Sequence, residues 1–193
     1  MSDNNEIYFC PTSRKDWRDW LEQNHHTHQS IWVVFFKVSS GVPSITWSEA
    51  VDEALCFGWI DSTKKTVDEN RYKQFFSKRN AKSNWSKINK EKIETLTSQG
   101  LMTKAGFDSV EVAKQNGSWT ILDAVEALII PADLEEALNN QEAAKSYFLS
   151  LSKSKRKSLL YWVISAKRTE TREKRITEVV LHSAQQQMPK QFR

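Results

Sequence analysis

Residues 47–89 hold the side chains of this chain whose types and spacing could do chemistry. Three of the eight tryptophans lie there, mixed with basic and small polar residues. Block 58–62, Gly-Trp-Ile-Asp-Ser, places a carboxylate directly after a short apolar stretch. From Arg79 onward the segment has no apolar period, so burial alone does not explain its residues and the pattern predicts a ligand-holding surface. The predicted ligand-binding residues of this segment are Trp47, Trp59, Asp61, Ser62, Arg79, Ser83, Trp85, Ser86 and Asn89.

Asp61 admits two interpretations. Beside the hydroxyls of Ser62 and Thr63, its carboxylate could transfer a proton or accept a hydrogen bond from a ligand. Alternatively, Asp61 caps a turn while Trp59 fills the core, as Asp and Ser at strand ends often do. We expect the strand that carries Asp61 to pair with residues 71–76, which would bring Arg79 close to it.

Segment 75–87 is the second candidate. Hydroxyls, amides and backbone N–H groups at a helix start, next to Arg and Lys, suit an anion. Aromatic rings interleaved with basic residues also suit stacking on single-stranded nucleic acid. The alternative is a solvated basic loop with Trp85 docked on the core. Since no glycine-rich phosphate loop accompanies the segment, the class of anion stays open.

The charged run 165–176 is the third candidate. Its simplest interpretation is a solvated helical face, in which Glu170 and Lys174 form a weak i,i+4 pair. The alternative is that Arg172 and Arg175 point back at Asp61 or at a shared anion. We therefore add Arg172 to the predicted ligand-binding residues.

Charge alternates along the chain. Residues 64–92 carry 10 basic and 3 acidic side chains, and residues 150–193 carry 11 and 3. Residues 1–63 carry 4 basic and 9 acidic side chains, and residues 93–149 carry 3 and 9. The two basic bands could form one positive face or neutralise the acidic bands against which they pack. An anionic small molecule or a nucleic acid is the partner expected from a positive face.

Metal and cofactor chemistry has little support in the sequence. Cys10 and Cys56 are too few for a disulfide framework and lack metal-ligand spacing. His25, His26 and His28 have no Asp, Glu or Cys partner at helical spacing in a direction that suits a shared metal ion. Neither cysteine has a nearby histidine, and no Gly-x-Ser-x-Gly nucleophile motif is present. The sequence predicts no metal, no cofactor and no catalytic residue.

Capping residues and apolar spacing predict an α+β fold, in which a small antiparallel or mixed sheet with helices precedes a helical C-terminal module. Strands are expected at 31–38, 59–62 and 71–76. Helices are expected to begin after the caps Ser13, Thr46 and Thr103, and after either Asn84 or Ser86. Further helices are expected at 119–128, 132–138, 141–151, 155–167 and 171–183.

The acidic, proline-containing stretch around 127–140 predicts the domain boundary. The expected domains are 1–127 and 128–185, followed by a polar tail at 186–193. The N-terminus lacks the pattern of a secretory signal, and the longest apolar run, Ile31–Phe36, is far shorter than the roughly 20 residues of a membrane helix. We therefore expect a cytoplasmic protein without membrane insertion.

Long motifs make the chain similar to one family. Residues 47–62 (WSEAVDEALCFGWIDS) and the later set Arg79, Ser83, Trp85-Ser86-Lys87 and Asn89 resemble the bacterial YdeI/OmpD-associated (OmdA-like) family. Residues 131–134 and 166–176 resemble its C-terminal domain. The resemblance spans about Trp17 to Leu181 and departs at Lys104, where the family often has proline. It implies bacteriocin or antimicrobial-peptide protection, and it brings no established reaction, cofactor or catalytic residue.

Two functions follow as hypotheses. The first is a non-enzymatic protein that binds an anionic or nucleic-acid-like ligand, with peptide resistance as the downstream effect. The second is a small cofactor-independent enzyme, with Asp61 as general acid or base and Arg79 as anion clamp. A purely structural or interaction role is a third. A single carboxylate without a histidine favours the binding protein over the enzyme.

Overall fold

The computed structural model describes residues 7–193, which divide into two compact units. The first unit ends at Trp119 and the second runs from Thr120 to Arg193. The first contains a sheet and helices, and the second is helical throughout its regular structure. The predicted α+β class, with a helical C-terminal part, is therefore confirmed.

Four strands form a mixed sheet in the first unit. They are β1 (Tyr8–Phe9), β2 (Ser30–Phe36), β3 (Trp59–Thr66) and β4 (Arg71–Lys78), in the spatial order β1-β2-β4-β3. β1 runs parallel to β2, and the other pairs are antiparallel. Three of these strands were predicted, including the pairing of the Asp61 strand with residues 71–76. β1 was not predicted, because a strand of two residues is too short to show an alternation of apolar and polar side chains.

A β-bulge interrupts the pairing of β3 with β4. Asp61 lies opposite Phe76 and Lys64 opposite Gln74, so Ser62 and Thr63 together face Phe75. The extra residue brings Asp61 and Lys64 to the same face of the sheet although they are three positions apart.

The two faces of the sheet have different surroundings. Ile31, Val33 and Phe35 of β2 belong to the hydrophobic core, which they share with the helices. Their neighbours Trp32 and Val34 point the other way and lie outside that core. We call these the inner and outer faces of the sheet.

The helices of the first unit begin at the predicted caps. They are α1 (Arg14–Asn24), α2 (Trp47–Cys56), α3 (Lys87–Ser98) and α4 (Lys104–Gln115). Ser13, Thr46, Ser86 and Thr103 each accept a hydrogen bond from the backbone N–H three residues later, and Thr46 forms a full capping box with Glu49. α2 packs on β3, and the other three helices contact α2.

The start of α4 is fastened to the end of α2. Thr103 donates to the Cys56 carbonyl through both its backbone N–H (3.1 Å) and its hydroxyl (2.7 Å). A Cβ on Gly106 would lie 2.3 Å from the same carbonyl oxygen, so only glycine allows this approach. Gly58, with φ of +71°, turns the chain into β3, and its added Cβ would meet the Ala105 carbonyl at 2.9 Å. The α2–β3 turn is therefore covered closely by α4.

Five helices make up the second unit: α5 (Asp123–Glu126), α6 (Ala132–Asn139), α7 (Glu142–Ser150), α8 (Lys153–Ile164) and α9 (Thr169–Ala184). Their core includes Leu134, Leu138, Phe148, Leu159 and Val179. Residues 186–193 fold back: Met188 is buried, and the Phe192 ring meets that of Trp162 at 5.6 Å.

One helix prediction was wrong in extent. The expected helix at 119–128 is reduced to Asp123–Glu126. Trp119 instead completes the end of α4, because its N–H donates to the Ala113 carbonyl (3.0 Å) and its ring packs on Trp85. Leu128, with φ of +57°, ends the short helix. Within residues 7–193, no helix combines the length and apolarity needed to cross a bilayer.

Candidate anion-binding site

Trp59 and Trp85 belong to the hydrophobic core of the first unit. Their exposed fractions are 0% and 1%. Trp59 therefore fills the core, as one of the two interpretations of its block expected, whereas the expectation that burial does not explain the residues after Arg79 is wrong for Trp85. The alternation of side chains along β3 directs Trp59 into the core. Trp85 directly precedes the Ser86 cap of α3, and its ring centre lies 5.0 Å from that of Trp119. Each ring borders a cavity described below, and a ligand contact through either ring stays a prediction.

Asp61 is held in place by two donors. Its Oδ2 accepts hydrogen bonds from Trp47 Nε1 and Gln74 Nε2, each at 2.9 Å. Gln74 Nε2 also donates to the Ser62 carbonyl at 3.0 Å, and the Gln74 side chain is nearly fully buried. The structure thus brings the predicted residues Trp47, Asp61 and Ser62 together around Gln74.

A cavity of about 290 Å³ opens beside this carboxylate, lined by Trp47, Lys64, Tyr72 and Gln74. Lys64 Nζ lies 4.1 Å from the centre of the Tyr72 ring, so a cation already covers that ring. Gln74 and Tyr72 were not predicted as site residues. The available signal was the position of a polar residue, Gln74, between Tyr72 and Phe76 in the alternation of β4.

Arg79 follows β4 and turns inward over Trp85. Its N–H donates to the Gly58 carbonyl (2.9 Å), and its Nη2 donates to the Asn84 carbonyl (2.5 Å). The guanidinium carbon lies 3.6 Å from the centre of the Trp85 ring. Nε and Nη1 are buried and have no hydrogen-bond partner among residues 7–193. Two donors of a charged group are therefore left for an acceptor from outside.

Burial changes the electrostatics of Arg79. Loss of solvent lowers the pKa of the guanidinium to about 10, and the charge of Asp61 acts in the opposite direction. At neutral pH the group is still protonated. It is a buried cation with incomplete hydrogen bonding, which attracts an anion strongly because the local dielectric is low.

Two cavities reach Arg79. One, of about 370 Å³, is lined by His25, His26, Phe57, Gly58, Trp59, Lys78, Arg79, Ala105 and Asp108. The other, of about 210 Å³, is lined by Arg79, Asn80, Ala81, Trp85, Asp108, Ser109 and Val112. Asp108 borders both, and its carboxylate forms an ion pair with Lys104 at 2.7 Å. His25 Nδ1 lies 2.8 Å from the Leu21 carbonyl oxygen, so Nε2 is the ring nitrogen that does not take part in this contact.

The remaining predicted residues near Arg79 have local structural contacts. Ser83 donates to the Asn80 carbonyl (2.5 Å), and Ser86 accepts from the Asn89 N–H (3.2 Å) as the cap of α3. These bonds shape the loop that supplies the Asn84 carbonyl to Arg79. Their predicted roles in ligand binding are not tested by the geometry.

Arg172 lies in the second unit and is paired there. Its Nε and Nη2 donate to the two oxygens of Asp133 at 2.6 and 2.9 Å. The neighbouring Arg175 donates to the Trp162 carbonyl (2.5 Å) and to Ser165 Oγ (3.0 Å). Arg172 thus pairs with the carboxylate of Asp133. An anion shared between Arg172 and the first unit stays a prediction.

Within the described part of the chain, no group of three or more His, Cys, Asp or Glu side chains is arranged to hold a metal ion. The polar groups at the wall of the larger cavity are the guanidinium of Arg79, Lys78, two histidines and the carboxylate of Asp108.

Comparisons with known proteins divide the chain in two. Residues 127–186 match the family described as bacteriocin-protection, YdeI or OmpD-associated, which confirms the predicted resemblance for that region. No curated protein and no solved structure matches. Residues 9–109, more than half of the chain and the part that contains Arg79 and Asp61, match a domain of unknown function, DUF8412. The chain thus belongs to the DUF8412 family, and it carries an OmdA-type region after that domain.

Proposed function

We propose that the first unit is a non-enzymatic binding domain for a small anionic ligand, which Arg79 receives. The observation that carries the proposal is the pair of buried guanidinium donors, Nε and Nη1, left without acceptors beside two cavities. A buried donor without a partner costs about 1–3 kcal/mol, so an incoming phosphate, sulfate or carboxylate oxygen would gain that energy.

The OmdA-type region supports the wider role. Its family description names bacteriocin protection, and we propose that ligand binding by this protein contributes to resistance against bacteriocins or antimicrobial peptides, in the cytoplasm. Asp61 has a positioning role in this proposal, since it holds the Trp47 and Gln74 side chains beside the neighbouring cavity.

Thermal unfolding of the full chain in sodium phosphate, sulfate or citrate tests the proposal, with sodium chloride at equal ionic strength as reference. Binding to the folded state alone stabilises it by about 2.7 kcal/mol when the anion is at 100 times its Kd. We expect at least one of these anions to raise the unfolding midpoint, and Arg79→Gln to abolish the increase.

Arg168→Gln is the matched control, because it removes an exposed arginine from the start of α9 and leaves the first unit unchanged. It should keep the full anion response. An equal loss of response in both variants, or no response of the wild-type protein to any anion, would contradict the proposal. An Asp61→Asn variant that retains affinity yet loses turnover of a ligand would instead favour the enzymatic hypothesis.

A further inference from the structure

The cavity of about 290 Å³ beside Asp61 shares no lining residue with the two cavities that reach Arg79. Three of its wall residues come from the inner face of β3 and β4, and the fourth is the first residue of α2. They are two aromatic residues, one lysine and one amide: Tyr72, Trp47, Lys64 and Gln74. The cavity therefore differs in chemistry from the Arg79 site, and its aromatic walls suit a cation.

The Tyr72 ring is held between a core ring and a cation. β4, which carries Tyr72, lies between β2 and β3 in the sheet. From β2, the ring of the fully buried Phe35 stacks on Tyr72, with 5.0 Å between ring centres and 9° between planes. From β3, Lys64 Nζ lies 4.1 Å from the centre of the Tyr72 ring. The ring is thus fixed against the core, and it already attracts a positive charge at the cavity.

The ammonium of Lys64 has no hydrogen bond at this position. Within residues 7–193, its Nζ forms neither a hydrogen bond nor an ion pair, and the contact shown for it is with the Tyr72 ring. A primary ammonium has three N–H donors, which a ring face satisfies less well than water does. A methylated ammonium carries the same charge without N–H donors, so it can lie over the ring without losing hydrogen bonds. The position therefore suits a methylated ammonium better than a lysine.

Trp47 and Asp61 add a second ring and a negative charge. Trp47 Nε1 donates to Asp61 Oδ2 at 2.9 Å, which fixes the indole at the cavity, and the Trp47 residue is 47% exposed. Tryptophan is the aromatic side chain that attracts cations most strongly. Gln74 Nε2 donates to the same carboxylate oxygen at 2.9 Å. Asp61 is thus bonded to two of the wall residues, and its charge lies next to the cavity.

We propose that this cavity binds a methylated ammonium group, as in choline or trimethyllysine, and that the group displaces the Lys64 ammonium from the Tyr72 ring. The charge of the ligand would lie against Tyr72 and Trp47, with Asp61 as the counter-charge. Lys64 is exposed and flexible, so its ammonium can move into water and regain its hydrogen bonds there. The site lies apart from Arg79 and takes a ligand of the opposite charge.

Proton NMR of choline chloride with the full chain tests the proposal at constant ionic strength. Protons over the face of an aromatic ring resonate upfield, so the N-methyl signal should move upfield in proportion to the bound fraction. The neutral alcohol of the same shape, in which carbon replaces the nitrogen, should bind about tenfold or more weakly, because it lacks the charge that the rings attract.

A short peptide that contains trimethyllysine is the second probe, and it distinguishes two sources of the same group. A Kd for the peptide about tenfold or more below that of choline would identify a modified protein as the source, since the peptide would then gain contacts beyond the ammonium. Similar Kd values would identify a free compound.

Lys64→Gln gives the sharpest result, because its expected sign is opposite to that for an anion site. Removal of the competing ammonium should lower the Kd for choline by about threefold or more, since the ring is then open in every chain. Lys65→Gln is the matched control. It removes the same charge one residue away, from the outer face, where Lys65 Nζ lies 5.1 Å from the centre of the Trp32 ring. It should change the Kd by less than about twofold, because salt screens exposed charges.

Trp47→Leu tests the aromatic contribution. It keeps an apolar side chain at the exposed start of α2, so far-UV circular dichroism should stay close to that of the wild type. The Kd for choline should rise by about tenfold or more, because leucine has no ring to attract the cation.

Several results would overturn the proposal. They are an unchanged N-methyl resonance in the presence of the protein, equal affinity for the neutral alcohol, weaker choline binding by Lys64→Gln, and equal effects of Lys64→Gln and Lys65→Gln. A folded Trp47→Leu variant with the wild-type Kd would also overturn it. Failure of the Arg79 proposal leaves this result unaffected, since the cavities share no lining residue.

Discussion

Arg79 is the residue at which we expect stability and the proposed ligand binding to oppose each other. Stacking on Trp85 and the bond to the Asn84 carbonyl hold the guanidinium in place. Burial and two unpaired donors raise the free energy of the folded state. Arg172, by contrast, donates to both oxygens of Asp133 and to the Val163 carbonyl.

Asp61 should contribute measurably to stability. Asp61→Leu removes the acceptor of Trp47 Nε1 and one of the two acceptors of the buried Gln74 amide. We expect the free energy of unfolding in urea to fall by about 1–3 kcal/mol. Asp61→Asn keeps an acceptor oxygen and should cost less.

Asp19→Leu is the control for that measurement, because Asp19 pairs with Lys15 on an exposed helix surface. It should change the free energy of unfolding by less than about 1 kcal/mol. Equal effects of Asp61→Leu and Asp19→Leu would show that the bonds to Trp47 and Gln74 contribute little.

Cys56 makes stability depend on alkaline pH. Burial raises the pKa of its thiol to about 11 from an ordinary value of 9.0, with Glu53 adding to the effect. Because the folded state keeps the proton up to a higher pH than the unfolded state, this contribution to stability is present below pH 9 and is lost as pH rises toward 11. The stability of the wild type relative to Cys56→Ala should therefore decline from pH 9 to pH 11.

Thiol labelling provides an independent measurement. Cys10 is exposed and Cys56 is buried, so iodoacetamide at pH 8 should modify one thiol per native chain and two in denaturant. Two modified thiols in the native protein would contradict the buried position of Cys56.

At the scale of elements, local signals predicted most of the first unit. The caps Ser13, Thr46 and Thr103 marked three helices correctly, because a side chain that accepts the N3 amide acts within one turn. The 119–128 helix was wrong because Trp119 is committed to α4 and to Trp85. Contacts between residues that are distant in sequence decide whether such a segment is helical, and the local spacing of apolar residues does not reveal these contacts.

The same reasoning explains what could be predicted of the site. Arg79, Asp61 and Trp47 stood out by residue type, and the predicted pairing of β3 with β4 brought the segments of Asp61 and Arg79 together. Gln74 and His25 were missed, since their positions beside Asp61 and Arg79 depend on the register of the sheet and on the end of α1. Two of the predicted tryptophans, Trp59 and Trp85, are core residues that only the three-dimensional packing distinguishes from surface ones.

Gly106 should be essential to the contact between α4 and α2. Gly106→Ala would place its Cβ 2.3 Å from the Cys56 carbonyl oxygen. Alanine normally stabilises a helix by about 1 kcal/mol relative to glycine. We expect the clash to reverse the sign and lower the free energy of unfolding by about 1–3 kcal/mol, measured in urea.

Gly117→Ala separates this clash from a backbone effect. Its φ is +79°, but no atom lies within 4 Å of the added Cβ. The cost there should be about 1 kcal/mol, from conformation alone. A Gly106→Ala protein as stable as wild type would show that α4 can move away from α2 freely.

For the whole molecule, ion pairs join the charge bands. Lys92 of the first basic band pairs with Asp52, and Lys157 and Arg172 of the second pair with Glu126 and Asp133. Each pair joins a basic band to an acidic one within a single unit. These contacts favour the neutralising interpretation for the residues involved, and a common positive face of the two bands stays a prediction.

Each unit should fold alone. The core of the first includes residues up to Trp119 and that of the second begins at Val125, with no residue in common. Fragments 1–119 and 120–193 should both show native-like circular dichroism and a cooperative thermal transition. An unstructured fragment would mean that its core depends on the rest of the chain.

The bulge at Ser62–Thr63 has a consequence for natural variation. Because these two residues share one partner, loss of either would straighten β3 and still leave Asp61 and Lys64 on the inner face and Lys65 on the outer one. Loss of one residue at Lys64 or Lys65 would instead exchange the faces of the residues that follow. In an alignment of relatives, we therefore expect gaps in this strand to fall at 62–63, the one place in β3 where evolution can change the length of the chain without moving a charge between the two surfaces.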